Sequence, residues 1–348
     1  MKFIHIADVH LGAQPEAGTA YSRQRPRELW DTFARVISLC EQEQADLLLI
    51  AGDLFHRQPL MKELKEVNYL FSRLSHTQVV LIAGNHDYIR RDSFYRNFVW
   101  AENVHPLFGE EPEMVLLPEF QTAVYGFSYY SREIREARYD AVRAERAARY
   151  EILLAHGGDE THIPIQREAL RHSGFDYVAL GHIHKSGNLV EKKAAYAGSL
   201  EPTDRNDTGR HGFVRGELSE EGTQYRFVPF ASREYIHQVV KVTPDMTGWG
   251  LKEKLQDIMT EFGRQNIYKF ILQGFRDEEL RFEPEHLDSF GNIIEIIDET
   301  RPAYDFDKLL ELNRDNLLGR YIEAFDGCEE GSVEYQALYE GVQALLGN

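Results

Sequence analysis

Five short apolar runs in this chain each end in residues able to bind a metal ion, and that repetition constrains the fold more than any other feature. Leu47–Ile50 is a continuous run of the kind shown by a strand buried on both faces. It stops at Ala51-Gly52, and Asp53 follows at once. In the same way Phe3–Ala7 leads to Asp8 and His10, and Val79–Ala83 to Gly84-Asn85-His86-Asp87. Ile152–Ala155 leads to His156, and Tyr177–Leu180 to Gly181-His182-Ile183-His184. One Asp after one strand is usually a turn residue. Repeated delivery of Asp, Asn and His to one edge points to a site, because open α/β sheets bind ligands at the carboxyl ends of their strands.

A length of 348 residues predicts one large domain and a smaller one. A chain of that size buries roughly three quarters of its unfolded surface and needs no disulfides. With two cysteines, no long apolar run and Met1 leading straight into a strand, a reducing, cytoplasmic location without membrane insertion is expected. The net charge of −18 argues against a general nucleic-acid coat protein. Its distribution is uneven: residues 237–348 hold 11 Lys/Arg and 23 Asp/Glu, leaving 28 and 34 for residues 1–236. In that first part arginines cluster at Arg23, Arg25 and Arg27, at Arg90, Arg91 and Arg96, from Arg132 to Arg149, and at Arg205 and Arg210. Each cluster taken singly reads as a solvated face, whereas several beside the motif loops would suit a polyanion.

Along the chain, the spacing predicts helices over Arg27–Gln44 and Leu60–Ser75, and a charged helix over Ser131–Ala148 with many i,i+4 pairs. Ile165–His172 should be a short helix stopped at Gly174. Two hairpins are expected, over Asn188–Gly198 and Phe213–Val228. The character changes after Tyr235. Residues 236–300 read as a small α/β unit, with strands over Ile236–Val242, Ile267–Leu272 and Gly291–Ile297, a helix over Leu251–Phe262 and a shorter one over Glu278–Leu287. Residues 301–348 carry two amphipathic helical patterns, Phe306 to Phe325 and Tyr335 to Leu346, broken at Gly327-Cys328-Glu329-Glu330-Gly331.

The strand-end inventory decides the chemistry. Asp8, His10, Asp53, Asn85, His156, His182 and His184 offer oxygen and imidazole donors and no thiolate, a set suited to Mn²⁺, Fe²⁺ or Zn²⁺. Seven donors exceed one tetrahedral site and suffice for two ions sharing a carboxylate. Such a pair binds a phosphate across two oxygens and lowers the pKa of a bridging water toward neutrality.

In this order the motifs resemble those of the calcineurin-like metallophosphoesterase superfamily. Within it, Gly52-Asp53-Leu54-Phe55-His56 and Ala197-Gly198-Ser199-Leu200-Glu201-Pro202 are similar to the SbcD-like (YhaO-like) branch of DNA repair nucleases, a likeness covering residues 1–235. The resemblance implies a two-layered β-sandwich flanked by helices. It implies that Asp8, His10, Asp53 and His184 hold one divalent ion, and that Asp53, Asn85, His156 and His182 hold the other. His86 would face the scissile phosphate, Asp87 would orient its imidazole, and His56 would contact substrate phosphate. Residues 236–300 occupy the place of a DNA-capping domain, although their acidity runs against a grip on DNA.

The function these readings favour is a DNA phosphodiesterase in DNA repair, an exonuclease with single-strand endonuclease activity as a further option, using two ions with Mn²⁺ foremost. The alternative is a phosphatase or phosphodiesterase acting on a nucleotide or other small phosphorylated substrate; a metal-bound scaffold without turnover is disfavoured by the complete donor set. Expected partners are DNA and, through the C-terminal helices, an SMC-like (SbcC-type) ATPase, with a homodimer left open.

Overall fold

Strands β1 (Lys2–Ile6), β2 (Leu47–Ala51), β3 (Gln78–Ile82) and β4 (Val104–Pro106) follow one another as parallel neighbours in the computed structural model, which describes residues 1–329 and 331–347. Parallel neighbours need crossovers. Helices α1 (Arg25–Glu43) and α2 (Met61–Ser72) supply the first two. Next come β5 (Glu113–Leu117), β6 (Thr122–Gly126), β7 (Tyr150–His156), a short α3 (Arg167–Arg171), β8 (Tyr177–Gly181), β9 (Gly187–Val190) and β10 (Ala194–Tyr196). The hairpin β11 (Gly212–Ser219) and β12 (Gly222–Pro229) returns to pair antiparallel with β1. The result is two six-stranded sheets, ordered β12-β11-β1-β2-β3-β4 and β5-β6-β7-β8-β10-β9.

The period-2 alternation of a strand explains the layering. Leu47, Leu49 and Ala51 pack with Ile152, Leu154, Tyr177 and Ala179 between the sheets. Leu48 and Ile50 point the other way, onto Leu29, Phe33 and Val36 of α1 and Leu64, Val67 and Phe71 of α2. On the far side, Leu153, Ala155, Val178 and Leu180 meet Tyr139, Leu170 and Phe175. This is the two-layered sandwich flanked by helices that the motifs implied, with both faces of β2 buried.

Residues 131–148 depart from expectation. Apart from a 3₁₀ turn at Arg138–Ala141 they form no helix. Ile134, Tyr139 and Val142 are each pinned separately: Ile134 bridges to His162, the Tyr139 hydroxyl accepts from His156 N, and the neighbouring Ala144 N donates to Ser173 O. Those anchors override the Arg/Glu pairing that favoured a helix. Arg25 is likewise no part of a basic face. It is fully buried, donating to Glu28, Glu201 and the carbonyl of Pro202. Arg205 is committed to Glu16 and Arg90 to Asp92.

The chain divides into two compact units, Met1–Ile236 with Gln265–Ile267, and His237–Arg264 with the described residues from Tyr268 onward. The second is built from β13 (Tyr235–Val242), α4 (Gly248–Phe262), β14 (Ile267–Arg276), α5 (Pro284–Leu287), β15 (Ile293–Pro302), α6 (Phe306–Leu312), α7 (Leu317–Glu323) and α8 (Val333–Leu346). Its sheet runs β13-β14-β15, and Leu251, Leu255 and Met259 of α4 are buried. The helix expected over Glu278–Leu287 shrinks to α5. The pattern from Phe306 to Phe325 is two helices, because Asn316 caps α7 by accepting from Gly319 N and ends the continuity after Asn313. Glu330, in the expected break between the last helical patterns, and Asn348, the end of the helical tail, lie outside the described residues.

Candidate metal centre

The loops that follow β1, β2, β3, β7 and β8 meet at one place. Those after β1 and β2 are laced together by main-chain bonds from Asp8 N to Gly52 O (3.2 Å), His10 N to Asp53 O (3.0 Å) and Leu11 N to Leu54 O (2.9 Å). Asp8, His10, Asp53 and His182 all hold positive φ (49°, 51°, 50° and 94°), a conformation that costs energy outside glycine and clusters at functional sites. Gly84 is required for a different reason: a Cβ there would run into Asp53 Oδ1 and His156 Nε2.

All seven side chains singled out as donors lie in this cluster. Asp53 accepts His86 N at Oδ1 (2.9 Å), while its Oδ2 lies 3.4 Å from His156 Nε2 and 4.0 Å from His10 Nε2. His156 Nε2 and His182 Nδ1 stand 2.9 and 3.2 Å from Asn85 Oδ1. His10 Nε2 and His184 Nε2 are 3.1 Å apart. Asp8 takes the main-chain N–H of His182. Asp8, His10 and His184 form one group of mutually close donor atoms, and Asp8, Asp53 and His156 another.

Proton bookkeeping shows that the cluster suits cations. A carbonyl or carboxylate can only accept. His156 must therefore carry its proton on Nδ1, which faces Ala51 O at 2.8 Å. His184 carries its proton on Nδ1 facing Asp207 (2.9 Å), and His182 on Nε2 facing Asp159 (2.6 Å). The inward nitrogens of His156 and His182 also meet oxygens that only accept, those of Asn85 and Asp53, so these contacts need either a second proton on the ring or a cation between the atoms. Such a pocket of acceptors repels itself unless positive charge enters. The titration behaviour agrees. Burial opposes charge on His156 and His184, yet Asp53 on one and Asp207 with Asp8 on the other raise both to about 9. Burial pushes Asp8 up, whereas for Asp53 it is outweighed by His156, which holds that carboxyl well below the usual range. The residues present fit a pair of divalent ions.

His56 and His86 lie beside the cluster with rings stacked 5.0 Å apart. His86 Nδ1 bonds to the carbonyl of His56 (3.0 Å), and His56 Nδ1 approaches His10 Nδ1 at 3.4 Å. Asp87 does not orient the His86 ring as the resemblance implied. Its carboxylate accepts from Gly84 N (2.8 Å), Phe55 N (3.1 Å) and the Tyr95 hydroxyl (2.9 Å), fixing the loop rather than the imidazole. It is the His56 carbonyl that holds His86. Asp159, Asp207 and Tyr95 were not found from the sequence. Asp159 falls three residues after His156, a spacing without a signal of its own, and Asp207 lies in an ordinary polar loop.

Residues 1–186 match the family model described as calcineurin-like phosphoesterase. The chain belongs to that family. This phosphoesterase is 29% identical over 317 residues to the uncharacterized metallophosphoesterase YhaO of Bacillus subtilis, covering 83% of this chain and 76% of that protein. It is 28% identical to the DNA double-strand break repair protein Mre11 of Methanocaldococcus jannaschii, covering 67% of this chain and 64% of the relative. The protein of the same name from Archaeoglobus fulgidus matches at 23% identity over 96% of this chain and 88% of its own length. The family implies a metal-dependent hydrolase with two divalent ions, which the donor geometry of this phosphoesterase accommodates. Among the described residues, no helix is long and apolar enough to cross a membrane.

Proposed function

We propose that the phosphoesterase is a two-metal DNA phosphodiesterase, an exonuclease of DNA repair able also to cut within single strands, with its active site in residues 1–235. The observation that carries the reading is the convergence of imidazole nitrogens and carboxylate and amide oxygens beside His86, whose Nδ1 is held by the His56 carbonyl. Asp8, His10, Asp53 and His184 would hold one ion, and Asp53, Asn85, His156 and His182 the other. Mn²⁺ is the ion favoured for this oxygen and nitrogen set, ahead of Fe²⁺ or Zn²⁺. When bound, such ions polarise phosphoryl oxygens and supply a nucleophile at neutral pH.

The protein's own share of the chemistry follows from the hydrogen bonds. His86, its Nδ1–H engaged by the His56 carbonyl, presents Nε2 as the atom that passes a proton to the leaving oxygen. His56, stacked on it, offers its other ring nitrogen to substrate phosphate. Asp87 keeps the loop bearing Asn85 and His86 in place through Phe55, Gly84 and Tyr95. DNA as substrate draws support from the similarity to relatives named for double-strand break repair. On the same basis residues 236–300 are proposed as a capping-like domain and residues 301–348 as the segment that docks an SMC-like ATPase.

An assay of the Mn²⁺-loaded protein on duplex DNA, single-stranded DNA, cyclic nucleotides and phosphopeptides tests the reading. Turnover should be fastest on DNA. Turnover confined to the cyclic nucleotides or phosphopeptides would assign the site to small or protein-borne phosphates instead.

A further inference from the structure

The outer nitrogen of each histidine in the His182-Ile183-His184 pair ends on a carboxylate that the sequence does not mark. His182 Nε2 donates to Asp159 Oδ2 at 2.6 Å, and His184 Nδ1 donates to Asp207 Oδ2 at 2.9 Å. Both carboxylates are themselves anchored. Asp159 takes Thr161 N (2.7 Å), Thr161 Oγ1 (2.9 Å), His162 N (2.9 Å) and His162 Nδ1 (2.9 Å). Asp207 takes Thr203 N and Thr203 Oγ1, both at 3.1 Å. The two arrangements are mirror cases of one device, because the tautomers are opposite. His182 is protonated on Nε2 and turns Nδ1 inward, to 3.2 Å from Asn85 Oδ1. His184 is protonated on Nδ1 and turns Nε2 inward, to 3.1 Å from His10 Nε2.

We propose that Asp159 and Asp207 are positioning residues, each fixing the tautomer and raising the basicity of one histidine so that each governs the affinity of one of the two ions. The proposal rests on the two-ion reading above. A carboxylate behind a ligating imidazole commonly sets metal affinity by about 10–100-fold. The pairing assigns Asp207 to the ion held with Asp8 and His10, and Asp159 to the ion held with Asn85 and His156. Asp159, His162 and His182 are also close enough to be read as a separate cation site. Against that, His182 Nδ1 already faces the main cluster, and a second ion on Nε2 would require the imidazole to lose both protons.

The test is chelator competition on the Mn²⁺-loaded full chain, followed by metal stoichiometry and by the electron paramagnetic resonance signal of the coupled ion pair. The variants are Asp159→Ala, Asp207→Ala and the corresponding Asn substitutions. Each Ala variant should release one of two ions at a chelator activity about 10–100-fold lower than wild type, replacing the coupled signal by that of a single ion. The Asn variants, which keep an acceptor but not the charge, should fall between. The metal-stripped variants should melt with the stripped wild type. Two ions retained within about threefold of wild type in the Ala variants would overturn the proposal, as would a matching drop in the melting temperature of the stripped chains. A third ion per chain removed by His162→Ala would overturn the role of Asp159. Wild type that holds one ion or none would instead overturn the two-ion reading itself.

Discussion

His156 donates its Nδ1–H to the carbonyl oxygen of Ala51 across the interface between the two sheets, at 2.8 Å. Ala51 ends β2 and His156 ends β7, so the bond ties the strand carrying Asp53 to a strand of the opposite sheet. It aims His156 Nε2 at Asp53 and Asn85. The stacking of the sheets thus sets where His156 meets the loop that carries Asp53.

Gly84→Ala tests how tightly that organisation is specified. The added methyl would meet Asp53 Oδ1 and His156 Nε2, and one of them must move. Displacements of about 1 Å at a reacting centre cost on the order of 10²-fold in rate. A fall of that size, with metal content reduced and the fold retained by circular dichroism, is expected. Activity within about twofold of wild type would show that the cluster tolerates rearrangement.

Asp53→Asn tests the bridge. One carboxylate oxygen lies near both His156 and His10, and an amide cannot serve two cations as a carboxylate does. Metal analysis should fall from two ions per chain to one or none, with loss of turnover. Full activity with a single ion would remove Asp53 from the bridging position.

His86→Ala separates binding from chemistry. The side chain is held by a main-chain carbonyl and not by any donor of the cluster, so both ions and DNA affinity should survive. Turnover should drop by about 10²–10⁴-fold, the usual contribution of a general acid or base. A loss under about threefold would leave His86 with a purely structural place in the loop.

Acid sensitivity is expected from His5, which is not among the candidate metal ligands. It is buried in β1 with its Nδ1 on the Tyr177 hydroxyl (2.9 Å), and burial pushes it down to about 3. An unfolded histidine titrates near 6.5. Between those values the unfolded chain binds a proton that the folded chain refuses, so stability falls as pH drops through that window. From pH 7 to 5.5 the contribution is about 1 kcal/mol. Urea unfolding at the two pH values should show wild type losing about that much more than His5→Gln. Equal losses would mean that His5 accepts its proton in the fold.

What the sequence made legible was what repeats or alternates. The run Leu47–Ile50 announced a doubly buried strand, and the donor after each such strand announced the cluster. Residues 131–148 were misread because charge spacing favoured a helix, while three separated anchors, Ile134, Tyr139 and Val142, decided the path. Asp159 and Asp207 were invisible for a related reason. Their partners, His182 and His184, lie 23 residues away along the chain in each case, and only the fold sets that proximity.

The C-terminal helices carry the last prediction. Deleting residues 302–348 would be too blunt a test of the ATPase contact, because α7 and α8 make a core of their own. Leu318 and Ile322 pack with Leu338 and Val342, and the Tyr339 hydroxyl donates to Pro302 O at 2.6 Å. Leu338→Ala should therefore destabilise the second unit by about 2–5 kcal/mol. Leu312 and Leu317, by contrast, are 71% and 68% exposed, and they are among the apolar groups, with Val333 of α8, that the proposed ATPase contact would cover. Helix-borne leucines of this kind are typical anchors for a partner's apolar surface. Leu312→Glu combined with Leu317→Glu should leave the melting temperature and metal content unchanged and abolish co-purification with an SMC-like ATPase. If the doubly substituted protein still retains the ATPase, these helices serve only to complete the second unit.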